Sequence, residues 1–261
     1  MKLYIDPTGG FAGDMFSAAL ISTGADEKSM IKAMELAASK IGKAKISVTK
    51  TRDNATRLLI EISHDHNHLS GHDAKHLLMS IFEELEIKEM YRAVGMVALQ
   101  NLIDAEVKAH KEYTFLTDHH HDHDHGYHHH GHVHKHDEAY LHEAQDILID
   151  ITGAIYGLQL LDARRKAVLL DPVSMGGGMI TFSHGTLPVP APATKNMIDR
   201  FDIPVKEGPV DFELFTPTGA AILSAMFPEL KEEKLPEKEI QTGTSRGTKD
   251  LDIPPLKVFL Y

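Results

Sequence analysis

The chain has no cysteine among its 261 residues, so disulfides, thiolate metal ligands and cysteine nucleophiles are excluded. Any metal site must use nitrogen and oxygen donors. The chain also lacks an apolar run near the roughly 18 residues of a membrane span, and its first residues, MKLYIDPTGG, lack the apolar core of a signal peptide. These absences predict a cytoplasmic protein that does not associate with membranes.

Positive charge is scarce as well, because 27 Lys and Arg stand against 38 Asp and Glu, giving a formal net charge of -11. Such a surface repels phosphate over most of its area, which argues against nucleic acid or anionic lipid as a partner and favours cations. The length and the 42% hydrophobic content allow one or two domains. We predict one domain, over residues 1–261.

Histidine is abundant instead, and 11 of the 19 histidines lie between His119 and His136, in HHHDHDHGYHHHGHVHKH. Imidazole suits nickel, zinc and copper, and closely spaced copies on a loop can capture an ion and pass it on. We therefore predict a flexible metal-binding insertion at about 117–137, with His119, His121 and His123 among the ligands. A purification tag is the alternative, although tags usually sit at a terminus and this tract is internal.

A second, shorter histidine cluster, HDHNHLSGH, follows a predicted β-hairpin. It adds four candidate metal ligands, which are His64, His66, His68 and His72. Both clusters fit a protein that handles a transition metal.

The apolar spacing predicts alternating strands and helices along the chain. A strand at 2–6 leads through a glycine-rich turn into a helix, and residues 45–63 form a hairpin. Helices are predicted at about 26–40, 74–85, 88–111, 138–161 and from 217 onwards, with an extended loop at 183–194 and a final strand in PLKVFLY. The predicted fold class is α/β, a mixed sheet with packed helices and a disordered histidine-rich insertion.

The glycine-rich turn after the first strand, DPTGGFAGDM, places Asp6 and Asp14 at a strand-to-helix junction. Backbone N–H groups there could cradle an anion, and the carboxylates could hold an accompanying metal. The turn is not a P-loop, because it has no lysine, and its spacing is not GxGxxG. A tight turn with Asp14 as a helix cap is an equal alternative.

Two sets of candidate ligands have helical spacing. Glu106 and His110 are four residues apart on one predicted helix, which can supply two ligands to one ion. The second set lies on the predicted helix from about residue 138 and comprises His142, Glu143, Asp146 and Asp150. Solvated surface pairs are the alternative for both sets, and a structural hydrogen bond is the commoner role for a lone histidine such as His184.

Taken together, these residues resemble the LarC family, the nickel-insertion proteins of the lactate-racemase cofactor pathway. The residues that carry the resemblance are Asp6, Gly10, Gly13-Asp14-Met15, Ala105-Glu106, His110, His142-Glu143, Asp146, Asp150, Gly176, Gly178, HGTLPVPAPA from His184 to Ala193, and TPTG from Thr216 to Gly219. The resemblance covers nearly the whole chain, and HGTLPVPAPA with TPTG is a specific pair of signatures.

The resemblance implies that Ni²⁺ is inserted into a pyridinium-3,5-bisthiocarboxylate mononucleotide, forming one nickel–carbon and two nickel–sulfur bonds. It also implies that this chain is the N-terminal part of a CTP-dependent nickel cyclometallase. CTP, with Mg²⁺ or Mn²⁺, would bind on a separate C-terminal subunit. The sequence leaves a homo-oligomer open.

The resemblance and the ligand types together assign site residues. The catalytic candidates are Asp6, Asp14, Glu106 and His184. The cofactor-binding candidates are Gly9, Gly10, Gly13, Gly176 and Gly178, and the metal ligands within the core are His110, His142, Glu143, Asp146 and Asp150.

Two other functions compete with nickel insertion. One is a histidine-rich nickel or zinc metallochaperone or storage protein without catalysis. The other is a metal-dependent hydrolase built on Asp6 and Asp14, which the lack of a lysine in the glycine turn disfavours. HGTLPVPAPA and TPTG favour insertion, since a passive buffer has no need of them.

Overall fold

The computed structural model describes residues 1–64, 68–112, 140–142, 144–182, 185–231, 235 and 241–261. Its helices are α1 (Gly13–Thr23), α2 (Glu27–Ser39), α3 (Gly71–Glu84), α4 (Glu89–Glu112), α5 (Ala144–Leu160), α6 (Pro192–Phe201) and α7 (Pro217–Ala225). Its strands are β1 (Leu3–Asp6), β2 (Gly42–Lys50), β3 (Thr56–His64), β4 (His68–Ser70), β5 (Tyr140–His142), β6 (Ala167–Leu169), β7 (Val173–Ser174), β8 (Met179–Phe182), β9 (Gly185–Pro188), β10 (Val205–Lys206), β11 (Glu229–Leu230), β12 (Gln241–Ser245) and β13 (Leu256–Leu260).

A seven-stranded sheet has the order β11-β6-β1-β13-β12-β3-β2. The strand β1 is central and pairs in parallel with β6 and antiparallel with β13. Its residues Leu3, Tyr4 and Ile5 are all buried, as expected of a central strand that is covered on both faces. The predicted α/β class with a mixed sheet is confirmed.

Helix α1 lies on the sheet and packs closely against α5. Two glycines of α5 make the close approach feasible. A β-carbon at Gly153 would lie 2.6 Å from Ser17 Oγ of α1, and one at Gly157 would lie 2.8 Å from Leu20 Cδ1. Because neither glycine has a side chain, α1 and α5 can approach each other this closely.

Most of the predicted elements are present. Helix α2 begins where expected, with Asp26 as its N-cap, because Asp26 Oδ1 accepts a hydrogen bond from Ser29 N at 2.9 Å. The hairpin of β2 and β3 is also confirmed, and its turn includes Asn54 with a φ of 63°. Asparagine tolerates that left-handed conformation better than most residues.

Two boundaries predicted from the sequence are wrong. The helix predicted from about residue 138 begins only at Ala144, because β5 precedes it and pairs antiparallel with β4. The loop predicted over 183–194 contains β9, which pairs with β8, and its end is the first turn of α6. The strand β5 forms because it pairs with a strand that is distant in sequence, and the end of the predicted loop is helical because Pro192 starts α6.

The predicted insertion at 117–137 lies outside the described residues. Within the part of the chain that is described, no helix is both long and apolar enough to cross a membrane.

Candidate metal-binding cavity

Acidic side chains and one imidazole from several elements line one cavity of about 480 Å³. These residues are Asp14, Glu106, His110, Asp146, Asp150 and Glu213. The two helical pairs singled out in the sequence, Glu106 with His110 and Asp146 with Asp150, therefore meet at one cavity. Apolar side chains, among them Leu58, Leu102 and Ile180, complete the wall.

The tight packing of α1 on α5 positions the first two carboxylates. Asp150 lies one turn before Gly153 on α5 and packs against Gly13, the first residue of α1, where a β-carbon would lie 2.3 Å from Asp150 Oδ2. Asp14 follows in the first turn of α1. The absence of a side chain at Gly13 thus brings the Asp150 carboxyl to the start of α1.

Buried amides fix the C-terminal half of α4, which carries Glu106 and His110. Asn196 of α6 donates from Nδ2 to the carbonyl oxygen of Ala105 at 3.2 Å, and Asn101 donates from Nδ2 to Ser224 Oγ of α7 at 3.0 Å. Because α4 is bonded to both α6 and α7, Glu106 is directed into the cavity from a rigid support.

Four helices begin at the cavity. Its lining includes residues from the first turns of α1, α5, α6 and α7, represented by Asp14, Asp146, Pro192 and Pro217. The N-terminus of a helix carries partial positive charge and N–H groups without a partner inside the helix. This convergence favours negative charge in the cavity, on the protein's own carboxylates and on a bound anion.

Burial dominates the ionisation of the cavity side chains. It raises the pKa of Asp14, and it raises the pKa of Asp150 well above its ordinary value, with further elevation from the charges of Asp146 and Asp14. Burial raises the pKa of Glu106 to about 7 and lowers the pKa of His110. In each group the neutral form is favoured, as expected where solvent is largely excluded.

One atom of Asp150 is left unsatisfied. Asp150 is 5% exposed, and its Oδ1 is buried without a hydrogen-bond partner. A buried carboxylate oxygen without a donor is costly, and a cation that enters the cavity would remove that cost.

The glycines predicted to bind a cofactor are needed for backbone packing. A β-carbon at Gly10 would lie 2.3 Å from the carbonyl oxygen of Leu214, and one at Gly176 would lie 1.8 Å from that of Phe212. Both glycines have positive φ, at 92° and 83°. These close contacts hold in place the segment that places Glu213 in the cavity wall. The role of these glycines in binding an anion stays a prediction.

Gly9 and Gly178 are similarly enclosed, by the backbone of Pro254 and by Asp211. Gly9 lines a second cavity of about 180 Å³, which shares Asp14, Glu213 and Thr248 with the first. Arg246, also in the second cavity, is bonded to Asp53 Oδ2 at 2.8 Å and to the carbonyl oxygen of Ile253 at 2.7 Å. The second cavity thus joins the acidic cavity to a loop that carries basic side chains.

Asp6 was predicted to be catalytic, but it lines neither of these cavities. Its Oδ1 accepts hydrogen bonds from Thr8 N at 3.2 Å and Thr8 Oγ1 at 2.8 Å, and its Oδ2 lies 3.5 Å from Lys257 Nζ. Asp6 therefore shapes the turn that leads to α1. Glu213 and Thr248 were not singled out in the sequence, because no helical or strand spacing links them to the other cavity residues.

The predicted histidine ligands fall into three groups. His72 lies on α3 with an exposed side chain. His64, His68 and His142 lie in strands, and His142 was wrongly placed on a helix; His68 and His142 are direct partners in the β4–β5 register. The remaining predicted residues lie outside the described part of the chain, and they are His66, His119, His121, His123, Glu143 and His184.

No group of three or more His, Asp or Glu side chains within the described ranges is arranged to hold a metal ion. The cavity nevertheless brings five carboxyl groups and one imidazole to a common wall. Fold and cavity therefore define an α/β protein with a partly buried cavity that is lined by carboxyl groups and one imidazole.

The chain belongs to the nickel insertion protein family, whose family model matches residues 3–126 and 127–260. A relative from Methanothermobacter thermautotrophicus is 33% identical over 97% of this chain and 57% of its own length. Proteins named pyridinium-3,5-bisthiocarboxylic acid mononucleotide nickel insertion protein are 31% identical in Thermotoga sp. (strain RQ2) and 30% identical in Clostridium kluyveri. The matches to these two cover 97% and 99% of this chain and 59% and 61% of the relatives.

The chain thus spans about three fifths of the length of the curated relatives it matches. No solved structure matches the chain. Family membership confirms the resemblance that the sequence motifs indicate.

Proposed function

We propose that this chain inserts nickel into a pyridinium-3,5-bisthiocarboxylate mononucleotide and that the acidic cavity is where the ion meets this substrate. The observation that carries the proposal is the meeting of Glu106 and His110 with Asp14, Asp146 and Asp150 on one cavity wall. Nitrogen and oxygen donors of this kind bind Ni²⁺ without the very tight hold of thiolates. The names of the relatives supply the identity of the metal and of the substrate.

The cavity has room for a substrate of this class. Its volume of about 480 Å³ lies within the range of about 300–1,000 Å³ typical of small-molecule sites. The substrate is anionic, and the first turn of α6 offers N–H groups to its phosphate. Ala191, the N-cap of α6, makes no side-chain capping bond, which keeps that helix start available to an anion.

Donor softness gives the transfer its direction. Carboxylate and imidazole bind Ni²⁺ less firmly than the two sulfur donors of the thiocarboxylates do. An ion first held by Asp150 and its neighbours therefore passes to the substrate once the sulfurs are in reach. Asp150 Oδ1 is buried without a partner, and an ion that binds it removes that energetic cost. This favours the first step, capture of the ion.

Formation of the nickel–carbon bond replaces a C–H bond of the pyridinium ring, so one proton must leave as the bond to the metal forms. Glu106 is suited to accept it, because burial raises its pKa to about 7. A base with a pKa near the working pH combines a large deprotonated fraction with adequate proton affinity. In this proposal Glu106 holds the arriving ion together with Asp14, Asp146 and Asp150, and it then releases the ion and accepts the proton.

The tract from His119 to His136 collects Ni²⁺ and raises its concentration near the cavity. CTP, with Mg²⁺ or Mn²⁺, acts on a separate C-terminal part, consistent with the greater length of the relatives.

The test is a calorimetric nickel titration of the full chain and of a variant whose residues 118–136 are replaced by a Gly/Ser linker. We expect one tight site to survive the replacement and to weaken at least tenfold in Glu106→Gln and in Asp150→Asn. Glu89→Gln, at an exposed position on the same helix as Glu106, is the matched control and should bind normally. Adding the bisthiocarboxylate mononucleotide to the nickel-loaded variant should then transfer the ion to sulfur, seen as new charge-transfer absorption.

If all nickel binding disappears with the tract, the cavity does not bind the ion and the storage function is favoured instead. If the tight site survives but Glu106→Gln and Asp150→Asn bind like Glu89→Gln, the ion is held elsewhere in the core.

A further inference from the structure

Two histidines face each other on the surface of α3, and neither of them lines the cavity. His72 and His76 are one helical turn apart, their Nε2 atoms lie 3.2 Å from each other, and their ring centroids are 4.4 Å apart. Both side chains are exposed to solvent. His76 lies outside the cluster HDHNHLSGH and was not among the predicted ligands, although the four-residue spacing from His72 is visible in the sequence.

A carboxylate lies on the Nδ1 side of the His72 ring. Ser70 Oγ donates to Asp73 Oδ2 at 2.8 Å, and Asp73 Oδ1 lies 3.6 Å from His72 Nδ1. A carboxylate on the Nδ1 side of a histidine is the usual support for a ring that binds metal through Nε2. Asp73 is itself held in place, since its backbone N–H is capped by Ser70 Oγ at 3.0 Å.

The distance between the two nitrogens fits a shared ion. A nitrogen ligand lies about 2.1 Å from a bound divalent transition metal, so a separation of 3.2 Å corresponds to an angle of about 100° at the ion. That angle lies between those of octahedral and tetrahedral coordination. The helix supplies a rigid base, because Leu78 and Phe82 anchor α3 in the core.

We propose that His72 and His76 form a bidentate site for a divalent transition metal such as Ni²⁺, distinct from the cavity. The competing interpretation is a hydrogen bond between one protonated and one unprotonated ring nitrogen, which gives a similar distance. Solvent access at both rings leaves room for water molecules or a further ligand on the ion.

The position of this site suggests a role on the route of nickel to the cavity, an extension that rests on the proposed function. Helix α3 follows β4 directly, and β4 pairs with β5 so that His68 and His142 are register partners. Strand β5 in turn precedes α5, whose first turn carries Asp146 into the cavity lining. The α3 site is therefore connected through the paired strands β4 and β5 to the helix that carries Asp146.

The test is carbethoxylation of the full chain by diethyl pyrocarbonate with and without Ni²⁺, read at each histidine by peptide mass spectrometry. Metal-bound imidazole nitrogens are protected from the reagent. We expect Ni²⁺ to reduce modification at both His72 and His76 at least tenfold, and we expect His72→Gln to abolish the protection at His76.

The matched control is the double variant His76→Ser with Ser80→His. It keeps the number of histidines but places the pair eight residues apart, about 12 Å along the helix, at a position that is also exposed. Nickel should no longer protect either ring in this variant. Helix content by circular dichroism verifies that α3 is intact.

Two outcomes would overturn the site: no protection by Ni²⁺, which leaves the hydrogen bond alone, or protection of His76 that persists in His72→Gln, which indicates independent single ligands. Glu106→Gln should leave the protection at His72 and His76 unchanged. The experiment therefore distinguishes a lack of metal binding at His72 and His76 from a lack of metal binding in the cavity.

Discussion

The carboxyl group of Asp150 lies against the backbone of Gly13, so closely that a β-carbon at Gly13 would be 2.3 Å from Asp150 Oδ2. The contact joins the first residue of α1 to the second turn of α5. It places a nearly fully buried carboxyl beside Asp14, and the charge of Asp14 contributes to raising the pKa of Asp150. The geometry of the cavity therefore depends on the lack of a side chain at Gly13.

Gly13→Ala should therefore disturb both the fold and the cavity. The added methyl group must push the Asp150 side chain aside, and overpacking of this kind costs about 1–3 kcal/mol. We expect that loss in the free energy of unfolding by urea, together with weaker nickel binding by calorimetry. Gly177→Ala is the control, because its β-carbon would meet the nearest atoms at 3.5 Å, an ordinary contact. Equal stability of the two variants would contradict the tight contact.

Asp150→Asn should change stability and metal binding in opposite directions. The substitution removes a carboxyl group whose pKa is raised well above its ordinary value, mainly by desolvation, so the metal-free protein should gain on the order of 1 kcal/mol at pH 8. The same change removes an anionic ligand and should lower nickel affinity at least tenfold. Urea unfolding and calorimetry on the same preparations measure the two effects. A less stable variant at pH 8 would show that a favourable interaction, and not desolvation, dominates at this carboxylate.

The contribution of Glu106 to the stability of the metal-free protein should fall as the pH rises from 4.5 through about 7. Burial raises the pKa of Glu106 from 4.5 to about 7. The stability linked to Glu106 is therefore fully present below pH 4.5 and is lost as the pH rises through the folded-state pKa. The loss approaches about 3 kcal/mol above pH 8. Denaturation midpoints at pH 4.5, 6 and 8 measure it.

Glu106→Gln isolates this contribution. His110 has a lowered pKa and acts with the opposite sign, because its stability contribution is lost as the pH falls below its ordinary value of 6.5. That contribution is present in both proteins and cancels in the comparison. The parent should be nearly as stable as the variant at pH 4.5 and less stable at pH 8. A constant difference across this range would show that Glu106 does not titrate with a raised pKa.

Asn196→Ala should weaken the support of Glu106. Removing the amide leaves the buried carbonyl oxygen of Ala105 without its donor from α6, which costs about 1–3 kcal/mol. Nickel affinity should fall too, because the end of α4 is no longer held. Gln100→Ala is the control on the same helix, since its bond to Asp104 Oδ1 is only partly buried, and it should cost less than about 0.5 kcal/mol. Thermal unfolding followed by calorimetry compares them.

Much of the local structure could be read from the sequence, because it depends on neighbours along the chain. The N-cap at Asp26, the hairpin around Asn54 and the helix that begins at Pro217 all follow from short-range hydrogen bonding and backbone preference. The α5 boundary could not be read in this way, since β5 forms only by pairing with β4, about 70 residues earlier in the chain.

The sequence by itself determined which donor atoms can bind a metal, because a chain without cysteine offers only nitrogen and oxygen. It also determined the spacing of the two helical pairs, and Glu106 and His110 had to lie on one helical face. Only the tertiary structure decided that these residues share a cavity with Asp14 and Asp150, that Glu213 joins them, and that Asp6 does not. The physical reason is packing between segments that are distant along the chain. Helix α1 approaches α5 closely, and Gly10 and Gly176 lie against the backbone of Leu214 and Phe212. No local periodicity records such contacts.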